Sequence, residues 1–287
     1  MNLKTVLRTR TSKSAAVLGA VASVAALSLA ATTAGAAGAT DATAGHRPSA
    51  QKPTVVLVHG AFADSSSWNG VIKRLERDGY PVVAPANPLR GLASDADYVH
   101  SVLKNVKGPI VLAGHSYGGA VISQAAADSP NVKALVYIAA FIPEVGESAL
   151  ELSNKFPGST LGPTLNSVSF PLPDGGTGTD LYIKTDKFHD QFAADVPEPV
   201  TDLMAATQRP VAASALEEKA TEAAWNTIPS FSLVATQDYN IPPAAQHFMA
   251  DRAHAHTVEV KASHAVSVSQ PGAVTRLIEQ AAHASVR

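Results

Sequence analysis

Three side chains in this sequence have the types and spacing for nucleophilic catalysis: Ser116, Asp238 and His264. Ser116 is the centre of Gly114-His115-Ser116-Tyr117-Gly118, and its flanks say what that pentapeptide does. Residues 109–113 are a short apolar run with β-branched side chains, and residues 119–127 are Ala-rich and read as a helix. G-x-S-x-G between a strand and a helix makes a sharp elbow. Its glycines leave room for a tight turn that holds the serine in a strained conformation, with Oγ projecting above the strand ends. The helix that follows aims its free N–H groups and positive dipole end at the same serine. Ser116 is the expected nucleophile.

A serine hydroxyl needs a base, and the base needs an orienting carboxylate. Ten histidines compete. His264 follows the last strand-like run, at the carboxyl end where the elbow also lies. His59 and His115 fall in or beside turns and are expected to hydrogen-bond the backbone. His254 and His256 form an H-x-H pair at the wrong end of their strand, without further ligands nearby. His247 and His283 fall on helical stretches. Asp238 follows the run 231–236, again at its carboxyl end, and is expected to fix the tautomer of His264 and stabilise its imidazolium. Glu144, after the run ending at Ala139, is the rival carboxylate. The oxyanion donors are expected to be the backbone N–H groups of Tyr117 and Ala61, with Phe62 next in line and Gly60 giving the loop its tight turn. No metal and no organic cofactor is implied.

These residues need a frame. Apolar runs at 54–58, 81–84, 109–113, 134–139, 231–236 and 257–260 alternate with helical stretches at 68–78, 94–106, 119–127, 243–253 and 271–284. Gly79 is the expected stop of the first helix and Ser94 the expected cap of the second. Continuous apolar strands alternating with helices predict an α/β fold, a mostly parallel sheet with helices on both faces. Residues 143–229 break the rhythm with many prolines and the run Asp174-Gly175-Gly176-Thr177-Gly178. A long insert at the catalytic edge reads as a lid that sets substrate size, with a surface excursion as the alternative, and shortening the 174–178 loop is expected to change selectivity by substrate size. Phe141, Phe188, Phe192, Trp225 and the aliphatic residues of the insert suggest an apolar pocket, although scattered apolar residues more often belong to a core.

Lys4, Arg8, Arg10 and Lys13 precede an uncharged, Ala-rich stretch at 15–31, and small residues then offer A-x-A sites at 34–36 and 37–39. That is the layout of a secretory signal peptide over about residues 1–36, followed by a flexible lead-in at 37–52 and one domain at 53–287. A secreted chain is expected, with no membrane attachment after cleavage. The whole sequence carries 22 Lys+Arg and 24 Asp+Glu; four of the basic residues lie in the leader, which leaves 18 against 24. A mildly acidic domain without a basic stripe argues against nucleic acid as a partner. Cysteine is absent, which excludes disulfides and a thiolate nucleophile.

The segments VVLVHGAFADSSSW from Val55, VLAGHSYGG around the elbow, ALVYIAAFIP from Ala134, QDYNIPP from Gln237 and Ala262-Ser263-His264 together resemble the α/β-hydrolase superfamily. They are most similar to its hydroxynitrile-lyase and plant methyl-esterase branch and the bacterial esterase relatives of that branch. The resemblance implies the chain order Ser116, Asp238, His264 and an acyl-enzyme formed on a small-molecule carboxylic ester. Cyanohydrin-cleaving members carry threonine where this chain has Gly60, and lysine where it has Ala265, which disfavours lyase chemistry. Dehalogenase and epoxide-hydrolase relatives place aspartate where Ser116 stands. Two other readings share the scaffold: perhydrolase or cofactor-free haloperoxidase chemistry at the same triad, and small-molecule binding without turnover.

Overall fold

Thr54–Val58 (TVVLV) is apolar and β-branched at nearly every position, a run that needs cover on both faces. It forms β1 of a computed structural model that describes residues 52–285. The expected leader at 1–36, and the lead-in up to residue 51, lie outside the described residues. From β1 the chain runs through α1 (Asn69–Arg77), β2 (Val82–Val83), α2 (Leu92–Asn105), β3 (Ile110–His115), α3 (Tyr117–Ala125) and β4 (Val132–Ile138). An insertion then supplies α4 (Ala149–Asn154), α5 (Leu161–Thr164), β5 (Leu165–Pro171), β6 (Thr177–Ile183), α6 (Phe188–Phe192), α7 (Glu198–Thr207), β7 (Val211–Ala212) and α8 (Ala213–Glu217). The chain closes with β8 (Ser230–Ala235), α9 (Pro243–Arg252), β9 (His256–Val260), α10 (Val266–Ser269) and α11 (Pro271–Ala284).

The main sheet has the order β2-β1-β3-β4-β8-β9, and every neighbouring pair is parallel. Alternate residues of each strand feed two cores. Val55, Leu57, Val111, Ala113 and Val136 pack with Val71 and Leu75 of α1 and with Leu277 and Ile278 of α11. Val56, Val58, Leu112 and Leu135 pack on the opposite face with Val99 and Leu103 of α2 and Val121 of α3. Strand order reverses around β1, which is flanked by β2 and β3, so the crevice at the carboxyl ends of β1 and β3 is the expected place for a ligand. The loop 59–62 and Ser116 meet there.

Two local expectations are corrected. Ser94 does not cap α2, which begins at Leu92. The carboxylate of Glu218, far along the chain, accepts from Leu92 N–H and from Ala93 N–H, and Ser94 Oγ donates to Gly91 O instead. A carboxylate at a helix N-terminus complements the helix dipole, and sequence adjacency carries no trace of a partner so distant. The insertion is also more regular than its prolines suggest. β5 and β6 pair antiparallel from Leu165↔Ile183 to Pro171↔Thr177, and β7 adds a third strand. The run 174–178 is the tip of this hairpin: Gly175 takes φ +86°, and Gly176 N–H donates to Asp174 Oδ1 at 2.9 Å.

The insertion is tied down at several points. Arg90 Nη1 pairs with Asp180 Oδ1 at 2.7 Å while Nη2 donates to Pro210 O. Arg252 donates to both oxygens of Glu147 and to Ile142 O, and its guanidinium lies over the Trp225 and Phe248 rings. Phe62 N–H donates to Arg209 O and Ala212 N–H to Leu89 O. Below these ties His59, fully buried, locks the loop after β1. Its Nδ1–H donates to Gly60 O at 2.9 Å and its Nε2 accepts from Asn87 N–H at 3.0 Å. Burial, only partly offset by the bond to Gly60, lowers its pKa from 6.5 to about 4.

Two stability measurements follow. A Cβ on Gly119 would lie 2.4 Å from Phe141 O, whereas one on Gly162 meets nothing within 4 Å. Gly119→Ala should therefore cost about 1–3 kcal/mol in urea unfolding, while Gly162→Ala stays within about 0.5 kcal/mol of the parent. His59 is neutral when folded and takes up a proton on unfolding between pH 4 and 6.5. The unfolded chain binds more protons in that window, so stability is lost as pH falls through it, by about 3 kcal/mol from His59 alone. His59→Gln, which keeps an acceptor toward Asn87, should flatten the urea-midpoint profile across the same window.

Candidate active site

The turn from β3 into α3 places Ser116 at φ +55°, ψ −126°, a region L-residues rarely occupy. The turn can be this tight because its neighbours lack side chains. A Cβ on Gly114 would lie 2.5 Å from Gly118 O, and one on Gly118 2.5 Å from Val58 O. Hydrogen bonds hold the strain: Ser116 N–H donates to Ile138 O, and Ser116 O accepts from Gly119 N–H and Phe141 N–H. Oγ is left pointing at the loop after β9.

That loop brings His264 to the serine. His264 Nε2 lies 2.8 Å from Ser116 Oγ, and its Nδ1 lies 2.6 Å from Asp238 Oδ2. The carboxylate beside Nδ1 assigns the proton to that nitrogen and leaves Nε2 to accept from the serine hydroxyl. All three groups are buried, with Asp238 3% and His264 1% exposed. Asp238 offers its two oxygens to three further donors: Oδ1 accepts from Asn240 N–H at 2.7 Å and Ile241 N–H at 3.0 Å, and Oδ2 from Gln246 Nε2 at 2.9 Å. With His264 Nδ1 these make four hydrogen bonds to a carboxylate almost removed from water. Glu144, the rival, is turned into its own loop, where its Oε1 accepts from Val145 N–H. The three residues expected from the sequence are therefore brought together, and the rival is not.

The two residues expected to supply oxyanion donors lie at one cavity. Ala61 and Tyr117 line the same cavity as Ser116, and among the described residues neither backbone N–H has an acceptor. Phe62, next in line, spends its N–H on Arg209 O. Gly60 stands so close that a Cβ there would lie 2.6 Å from Ser116 Cβ. The cavity holds about 160 Å³, is mostly apolar, and takes its far wall from the insertion through Leu150, Leu161, Leu165, Leu181 and Leu216. Of the four aromatic residues expected beneath the lid, only Phe141 lines it. Phe188 and Phe192 are core, with Phe192 edge-on to the His264 ring at 5.1 Å, and Trp225 donates to Pro143 O. Nor does the hairpin tip at 174–178 reach this cavity. A wider groove of about 370 Å³ lies between α7 and the loop after β1; Phe62 borders both spaces, but Ser116 faces only the smaller one.

Several supporting groups carried no sequence signal. Gln246 Oε1 accepts from Ala235 N–H, and its Nε2 reaches Asp238 and Ile241 O, tying β8 to the acid loop. Its helical position alone reads as an ordinary polar residue. Tyr117 OH donates to Asp95 Oδ2 at 3.0 Å, anchoring the residue after the serine; burial pushes both the Asp95 carboxyl and the Tyr117 phenol up. His115 behaves as the turn position suggested, its Nε2–H donating to His264 O at 2.9 Å. Burial, and the neighbouring His264, hold its pKa well below the ordinary value, so it is a neutral strut beneath the base. Among the described residues no group of three or more potential ligands is placed to hold a metal ion, and no helix is long and apolar enough to cross a membrane.

With this geometry in hand, similarity to known proteins is informative. An alpha/beta hydrolase of Aspergillus novofumigatus is 27% identical over 255 residues, covering 80% of this chain and 97% of its own length. A pyrethroid hydrolase of Sphingobium wenxiniae is 28% identical over 252 residues, covering 80% and 88%. The crystal structure of polyneuridine aldehyde esterase superposes with a TM-score of 0.70 at 18% identity, covering 80% of this chain and 99% of the other. The profile of the alpha/beta hydrolase family matches residues 55–277, nearly the whole span from β1 to α11. The chain belongs to the alpha/beta hydrolase family.

Proposed function

We propose that this chain hydrolyses small-molecule carboxylic esters through an acyl-enzyme on Ser116, and that it does so outside the cell after its leader is removed. The observation that carries the reading is the continuous hydrogen-bonded chain Ser116 Oγ, His264, Asp238 beside two unpaired backbone donors in an apolar cavity. His264 Nε2 takes the proton as Ser116 Oγ attacks the acyl carbon, and Asp238 stabilises the imidazolium that forms. The carbonyl oxygen, becoming an oxyanion, is received by the N–H groups of Ala61 and Tyr117, which have no acceptor of their own among the described residues. His264 returns its proton to the leaving alcohol, and the same histidine then activates a water that frees the acid. Relatives named as an esterase for carbendazim and a hydrolase for pyrethroids support ester cleavage as the reaction class. The charged, Ala-rich leader pattern at 1–36 supports export.

Turnover of p-nitrophenyl esters, together with covalent capture by a fluorophosphonate, tests the roles. Ser116→Ala and His264→Ala should each lower kcat by about 10⁴–10⁶, with little further loss in the double variant, because the two act as one unit. Ordinary turnover by purified Ser116→Ala protein defeats the assignment. Asp238→Asn should cost about 10⁴ in kcat, and Glu144→Gln should leave kcat within about twofold, since its carboxylate serves only its own loop. The opposite ranking moves the acid to the loop after β4.

A further inference from the structure

One wall of the cavity carries a polar group whose orientation is dictated from behind. Asn240 is 3% exposed and lines the same space as Ser116. Its amide could face either way on steric grounds alone, but the hydrogen-bond order leaves one choice. Gln191 reaches the Tyr239 carbonyl at 3.0 Å, and a main-chain carbonyl only accepts, so the group of Gln191 at that point is its NH2. The same Gln191 Nε2 lies 2.8 Å from the Asn240 side chain, so the Asn240 atom facing it is Oδ1. Thr160 Oγ1 donates to Gln191 Oε1 at 2.9 Å, which agrees with that polarity. The Asn240 NH2 therefore faces away from Gln191, and among the described residues it donates to nothing.

Most of the remaining wall is apolar: Leu150, Leu161, Leu165, Leu181 and Leu216 have nothing to offer an oxygen atom. Ser159 Oγ is engaged with Asn240 O, and the other polar side chains of that wall, Ser153 and Asn154 at the end of α4, are more exposed than Asn240. This NH2 has no protein acceptor among the described residues, so a ligand oxygen that displaces water from the cavity can pair with it, and a ligand without one leaves it unpaired. The backbone beneath it is rigid as well, because Asn240 N–H is bound to Asp238 Oδ1. A chain filling so small a cavity from Ser116 passes this amide.

We propose that Asn240 Nδ2 is a substrate-recognising donor, and that the preferred substrates are esters carrying a second, neutral oxygen acceptor, an oxo or alkoxy group, in the part held by this cavity. The inference rests on the ester-hydrolase reading of Ser116. Selectivity of this kind comes from leaving a built-in donor unpaired when the oxygen is missing, which discriminates more sharply than a change of one methylene.

The test compares p-nitrophenyl pentanoate with its oxygen-bearing counterparts, the β-methoxypropanoate and levulinate esters, each kcat/KM divided by the ester's own hydroxide rate. The parent protein should favour at least one oxygen-bearing ester by about tenfold or more. Asn240→Leu should bring that ratio to about one, whatever its effect on the absolute rates. In parallel, Ser116→Ala protein is titrated with methyl levulinate and methyl pentanoate, and the oxo ester should bind about tenfold tighter. Equal normalised rates with equal Kd values overturn the assignment, as does a preference that survives in Asn240→Leu. A Kd difference without turnover of any ester counts against Ser116 as nucleophile and leaves the Asn240 site standing, so the two failures are distinct. Where Asn240→Leu does not fold, Asn240→Ala, which removes the same NH2, is read by the same ratio.

Discussion

The backbone of Ser116, forced to φ +55° between β3 and α3, is the constraint around which the other parts are arranged. A non-glycine residue in that region costs on the order of 1–3 kcal/mol and persists only where its surroundings leave no alternative. Here the surroundings are main chain. Gly118 lies against Val58 O, Gly119 against Phe141 O, and Gly60 against Ser116 itself, each too close for any side chain. The strain is thus held by the ends of β1, β3 and β4 together, which is why the elbow occupies the middle of a fully parallel sheet rather than its edge. Ala61 and Tyr117, beside those contacts, line the same cavity as Ser116.

A second demand comes from the Asp238 carboxylate, which is almost completely removed from water. It is satisfied by two backbone N–H groups of its own loop, by Gln246 from α9 and by His264. Gln246 also receives the Ala235 N–H, so the end of β8, the acid loop and the first turns of α9 form one hydrogen-bonded unit. His115 extends the arrangement to the other side of the base by holding the His264 carbonyl. The neighbours of the triad-like cluster are neutral by construction: burial keeps the His115 and His59 imidazoles uncharged, so neither competes with Asp238 for the field at His264. The insertion completes the site as a wall, fastened through Arg90, Glu218 and Arg252.

The features legible in the sequence were those encoded locally. Six apolar runs became the six strands of the main sheet, and their carboxyl ends singled out Ser116, Asp238 and His264 among many serines, carboxylates and ten histidines. The unused N–H of Ala61 followed from the same logic, and Phe62 dropped out only once Arg209 O was seen to occupy it. What was hidden depends on contacts between residues far apart in sequence. Glu218 at the start of α2 and Gln191 behind Asn240 belong to this kind, and neither has a neighbour-spacing signature. Phe188 and Phe192 are core and not pocket, a choice the sequence leaves open because apolar side chains look alike whether they face a cavity or a core. The glycines of the 174–178 run mark a hairpin tip away from the cavity, which their spacing alone does not distinguish from a segment that covers it.

The pairing of β4 with β8 also divides the chemistry in time. Leu135 lies beside Ser230 in this pair, and the whole insertion is the loop that the pairing closes. Ser116 and both backbone donors lie on the amino-terminal side of that junction, and Asp238 and His264 lie on the carboxyl-terminal side. During synthesis the nucleophile half emerges first, with β4 as an open edge and no base within reach. Closing so long a loop adds little to the entropic cost, since each doubling of length costs only about 0.6 kcal/mol, but it makes this contact a late and slow one. Under the proposed roles, Ser116 and the two side chains that would act on it meet only when β4 and β8 have paired.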